Sequence, residues 1–141
     1  MPRPPKNSTS SALARRAIGV WLMVDGVLTG MWFSQLADSL GGRDAVSVAA
    51  MVARVIVAAL STAAGWLITQ QRPQGAPLGT AALILMSALG LFGTWTGALP
   101  SNLAPSLRWP ATLVQATIAI LAALFLRHDT RENSTDGSAG T

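Results

Sequence analysis

The chain has no cysteine, no tyrosine and a single histidine among its 141 residues. Without cysteine there is no disulfide framework, no thiolate metal site and no cysteine nucleophile. His128 stands alone at a charged chain end, which excludes a histidine metal cluster or a triad within one chain. Charge is scarce as well: Asp, Glu, Lys and Arg make up 11% of the residues, where a soluble domain carries about 25%. No P-loop, GxGxxG, HExxH or CxxC pattern occurs, and one Asp among serines and threonines does not make a catalytic set. The expectation is therefore no enzyme, no cofactor and no metal. The sequence pI near 11.5 does not indicate nucleic acid, because the basic residues flank apolar segments and form no patch.

What is abundant is apolar. Half the residues are hydrophobic, and they fall into four segments, about 17–37, 45–69, 78–99 and 109–126. Each approaches the roughly 20 residues that cross a bilayer core of about 30 Å. The connections DSLGGRD, QQRPQGAP and PSNLAPSLR hold the Gly, Pro, Asn and Asp that end helices. Pro77 and Pro110 are expected near the starts of the third and fourth helices, where a missing N–H is harmless. Residues 1–11 and 129–141 are polar and read as disordered arms around one domain, 12–128. The last two segments carry no charge at all, which a soluble helical fold with polar faces does not allow. The fold class expected is all-α, a polytopic membrane four-helix bundle.

Orientation follows from the basic residues beside the spans. Arg3, Lys6, Arg15, Arg16, Arg72, Arg127 and Arg131 lie on one side, Arg43 and Arg108 on the other. This predicts an inner (plasma) membrane protein with both termini in the cytoplasm. Trp21 and Trp66 then lie near the inner ends of their spans, and Trp32, Trp95 and Trp109 near the outer ends, as an aromatic belt would. Arg15-Arg16 before an apolar run is read as the start of a retained span and not as a signal peptide, because Asp25 interrupts the run. Six identities relate residues 22, 23, 28, 30, 32 and 36 to residues 85, 86, 91, 93, 95 and 99. Such an echo would suit duplication of a helical hairpin.

Lipid tails are as apolar as leucine, so spans associate through small residues that let backbones approach. One stripe of each segment is small. Gly26-x-x-x-Gly30 and Gly93-x-x-x-Gly97 are GxxxG patterns, for packing within the chain or for self-association. On the second segment, Ser47, Ala50, Arg54, Ala58, Ser61 and Gly65 share one face.

Three residues do not belong in lipid: Asp25, Arg54 and Gln115. A charge at mid-span costs roughly 2.5–3.5 kcal/mol on insertion scales and by default marks function. At 1.5 Å per residue, Asp25 lies roughly 18 Å, Arg54 roughly 13–14 Å and Gln115 roughly 9 Å below the outer ends of their spans. An Asp25–Arg54 ion pair is within reach and would lock the first two helices together. The other reading makes Asp25 a proton or cation site, assisted by Thr29 one turn away and by the indoles of Trp21 and Trp32. The favoured function is a non-enzymatic accessory or assembly subunit, packing against other membrane subunits or against itself. The alternative is a small oligomeric transporter or channel that uses Asp25.

Overall fold

The computed structural model describes residues 8–36, 42, 44–99 and 103–138, with side chains over 11–33, 42, 44–99 and 103–128. Four helices account for nearly all of it: α1 (Ser8–Leu36), α2 (Ala45–Thr69), α3 (Gly75–Thr96) and α4 (Pro105–Ser138). Among the described residues three helical stretches are long and apolar enough to cross a membrane, Ala45–Thr69, Gly75–Thr96 and Pro105–His128. The described fold is thus all-α, and its apolar helices are consistent with a membrane protein. Within its described residues α1 is not among the three.

Helix ends differ from the apolar limits where polar residues continue a turn. α1 begins at Ser8, inside the expected N-terminal arm, and α4 runs through the polar tail as far as Ser138. Once a helix is nucleated, each added residue gains a hydrogen bond, so helicity outlasts hydrophobicity at both places. Residues 1–7 and 139–141, the outer parts of the two arms, and 37–41 of the first loop lie outside the described residues. Because α4 starts at Pro105, Pro110 falls inside the helix and not at its start. Its ring withholds the N–H that would reach the carbonyl of Ser106.

Local chemistry sets the other ends. Asp44 caps α2, accepting hydrogen bonds at 2.8 Å from both the backbone N–H and the hydroxyl of Ser47. At the far end of α2 the N–H of Gln71 reaches the carbonyl of Ile68 and that of Arg72 reaches Leu67. This is a Schellman motif, with Gln71 at φ 56° in the left-handed position that glycine usually fills. Gly97, at φ 68°, does the same for α3.

Each helix packs against the next in the chain, while α1 and α4 meet only sparsely. The expected small-residue face of α2 is its buried face, with Ser47, Ala50, Ala58, Ser61 and Gly65 all buried. Backbone approach is tightest between α1 and α2. A Cβ on Gly65 would strike the Gly19 carbonyl oxygen, and one on Gly26 would lie 2.5 Å from the Ala58 carbonyl oxygen. The core gathers toward the end where α1 and α3 begin and α2 and α4 finish their apolar runs. There Leu22, Ile68, Leu83 and Leu126 are fully buried. Gly79 of α3 leaves room for the methyl groups of Ile68, Leu126 and Leu22, one from each other helix.

The sequence echo does not carry into three dimensions. Leu22 is fully buried while its counterpart Leu85 is 45% exposed. Trp32 is half-buried where Trp95 points outward. Matched letters here occupy unmatched environments, so the packing gives duplication no support.

Candidate functional site

The polar residues of the helices converge away from that core. A cavity of about 210 Å³ opens near the α1–α2 and α3–α4 connections. α1 contributes Thr29, Trp32 and Phe33; α2 contributes Arg54; α3 contributes Gly90, Gly93 and Thr94; α4 contributes Arg108, Ala111, Thr112 and Gln115. Leu99 and Leu103 complete the wall. Two guanidinium groups therefore face one small space, and none of the residues lining it is acidic.

Asp25 stands beside Arg54 and not in this lining. Its Oδ2 lies 3.9 Å from Arg54 Nη2, with the Arg54 side chain 14% exposed and that of Asp25 22%. At 3.9 Å the carboxylate neutralises charge across the α1–α2 interface but accepts no direct hydrogen bond. Arg54 makes no hydrogen bond to any described residue. Arg108 donates through Nε to the Leu103 carbonyl at 3.1 Å, and its two Nη groups make none among the described residues. The Thr29 hydroxyl and the Gln115 amide are likewise without a hydrogen-bond partner there.

The other hydroxyls are occupied. Thr94 Oγ1 lies 2.9 Å from the Gly90 carbonyl, Thr112 Oγ1 2.8 Å from that of Arg108, and the two hydroxyls 2.7 Å from each other. Two hydrogens serve three contacts, so one carbonyl gives up its bond whenever one threonine donates to the other. The pair ties α3 to α4 across the cavity wall.

Of the residues singled out by sequence, Thr29, Arg54 and Gln115 are thus brought together. Asp25 joins them through Arg54. The two GxxxG patterns divide differently. Gly26 is packed against Ala58 and Thr62, while around Gly30 a side chain would meet nothing among the described residues within 4 Å. Gly93 makes room for Leu99, and Gly97 is the left-handed end of α3, with no described residue crowding it. The second pattern therefore shapes a helix end and packs no helix pair. Trp66, Trp95 and Trp109 are exposed as belt residues would be. Trp21 and Trp32 are half-buried instead, Trp32 against Phe33 with ring centroids 5.0 Å apart.

Arg108 was counted in the sequence only as a loop charge. Its place one turn before Thr112 and two before Gln115 on a single α4 face was the available signal. Outside the cavity, Trp21, Pro110, Ala111, Val114, Gln115 and Ile118 line a shallow groove along the α1–α4 seam. Ala111 and Gln115 belong to both spaces. Among the described residues no group of His, Asp and Glu is arranged to hold a metal. The chain matches no protein-family model, no curated protein and no solved structure.

Proposed function

We propose that the chain is a multi-pass inner-membrane protein crossing the bilayer four times, with both termini in the cytoplasm. It serves as a non-enzymatic accessory or assembly subunit that packs its helices against other membrane subunits. α1 supports the fourth crossing: Val20, Val24, Val27, Leu28 and Met31 are all exposed, an apolar outer surface suited to lipid, while Asp25 faces Arg54. The basic residues clustered beside the chain ends support the orientation.

The observation that carries the packing role is Gly30. Its neighbour Gly26 is required by the close approach of α2, whereas none of the described residues uses the space at Gly30. A helix gives up roughly 0.5–1 kcal/mol for such a glycine relative to alanine, so close approach by a second polypeptide is the natural use. A cation route through Asp25 has less support, because the adjoining cavity presents Arg54 and Arg108.

Purification in mild detergent with mass spectrometry of the complex tests this. The expected result is a stoichiometric membrane subunit, or a second copy of the chain, that Gly30→Leu releases. A lone monomer unaffected by Gly30→Leu would overturn the proposal.

A further inference from the structure

The cavity holds more hydrogen-bond donors than the protein satisfies. Arg54, the Arg108 Nη groups, the Gln115 amide and the Thr29 hydroxyl all border it without an acceptor among the described residues. Both guanidinium groups are only partly buried, and charge-assisted bonds to an oxyanion are the strongest they can make. With Asp25 offsetting one of the two arginines, the described lining is left with a net positive charge of one. It accepts an anion and repels a cation. Its volume, about 210 Å³, is below the roughly 300–1,000 Å³ of pockets that enclose whole ligands. It suits a phosphate or carboxylate group attached to something that lies elsewhere.

That elsewhere is the α1–α4 groove. It meets the cavity at Ala111 and Gln115 and continues past Val114 to Ile118, beside Trp21. From Pro110 to Ile118 it follows α4 for about 12 Å, toward the middle of the apolar span. The groove is apolar apart from the Gln115 amide at its mouth.

We propose that the cavity and groove form one site for an anionic lipid, with its headgroup oxyanion on Arg54 and Arg108 and an acyl chain along the α1–α4 seam. This rests on the membrane-crossing part of the proposed function and is independent of any protein partner. The lipid completes the hydrogen bonds that the polar end of the protein lacks and covers the sparsely packed α1–α4 seam. The arrangement places the headgroup in the leaflet opposite the chain termini.

The test uses the full chain reconstituted in nanodiscs of mixed phosphatidylglycerol and phosphatidylcholine, followed by native mass spectrometry of the retained lipid. Failure to incorporate would overturn the membrane reading and this proposal with it. Given incorporation, the expected result is about ten-fold preferential retention of phosphatidylglycerol, largely abolished by Arg108→Gln, since a hydrogen bond to a charged group contributes about 1.5–3 kcal/mol, or ten-fold and more. Val114→Trp, which fills the groove without touching the cavity, should release phosphatidylglycerol while the protein stays folded. Equal retention of the two lipids, or indifference to Arg108→Gln, would overturn the proposal. So would displacement of the lipid by millimolar glycerol phosphate, which would make the site one for a free anion. Arg54 is left intact in this experiment because its loss would disturb the α1–α2 contact.

Discussion

The two ends of the molecule are built on the same four helices and solve different problems. At one end Leu22, Ile68, Leu83 and Leu126 are fully buried, with Gly79 admitting methyl groups from three helices. At the other, Arg54, Arg108, Thr29 and Gln115 surround a cavity. In lipid the first end gains little from burial as such, because the acyl chains are equally apolar; its contribution is close contact without voids. The second end has the opposite character: its donors are drawn out of lipid and left in want of acceptors. The dry end holds the helices in place, and the polar end is free to respond to what enters it. The dry end also lies between the cavity and the chain termini, an arrangement that suits a site closed at its base better than a continuous pore.

The largest effect is expected at the boundary. Removing Arg54 strands the mostly buried Asp25 in the α1–α2 interface, and the loss should lie toward the lower end of the about 3–5 kcal/mol that breaking a fully buried pair costs. Asp25→Asn should cost less, because the freed guanidinium already lines the cavity and can be hydrated there. The double variant should partly recover. Unfolding in detergent micelles measures all three, and additive losses would show that the two residues do not interact.

Next come paired substitutions at the two ends. Leu126→Ala opens a void in the dry end and should cost about 2–5 kcal/mol. Thr112→Val removes one hydroxyl from the Thr94–Thr112 contact and should cost only about 0.6 kcal/mol, the average for hydrogen bonds between membrane helices. Equal losses would erase the distinction between the ends. Gly65→Ala pushes a methyl group onto the Gly19 carbonyl and should cost about 1–3 kcal/mol. Gly30→Ala, in open space, should leave the isolated chain as stable or more so.

Ser61 reverses the sign. It is fully buried in α2, and its Oγ has no hydrogen-bond partner among the described residues. A buried unsatisfied polar group costs about 1–3 kcal/mol, so Ser61→Ala should raise the unfolding midpoint. A clear loss of stability would reveal an acceptor that the hydroxyl depends on.

These residues also mark how far the letters could be read. The small face of α2, from Ser47 to Gly65, was legible because a 3.6-residue repeat of small side chains has few other uses in an apolar helix. The proximity of Asp25 and Arg54 was legible from helix rise and a short loop. The GxxxG spacing was not decisive, since glycine serves close approach at Gly26, a left-handed terminus at Gly97 and, among the described residues, neither at Gly30. The cavity was legible only in part: Arg108 shares a helix face with Thr112 and Gln115, but that face exists only because α4 starts earlier than its apolar run. Helix ends were misjudged where polar residues continue a turn, as at Ser8 and beyond His128.

The smallest expected effect is a pH dependence confined to the polar end. The two hydrogen bonds from Ser47, the backbone N–H first and the hydroxyl second, hold the Asp44 carboxyl below the ordinary carboxylate range. A folded-state pKa below the unfolded one means that the cap contributes fully above the unfolded value, about 3.9. The contribution is lost as pH falls through the lower folded value. Acidification below about pH 4 should therefore speed amide hydrogen exchange in the first turn of α2, beside the cavity end, while the segment around Ala64 and Ile68 stays protected. Asp44→Asn keeps a capping oxygen but does not titrate, so it should flatten that acid response without loosening the turn at neutral pH. If the wild-type first turn is indifferent to acid, or if the Ala64–Ile68 segment opens with it, the two ends of the molecule do not respond separately.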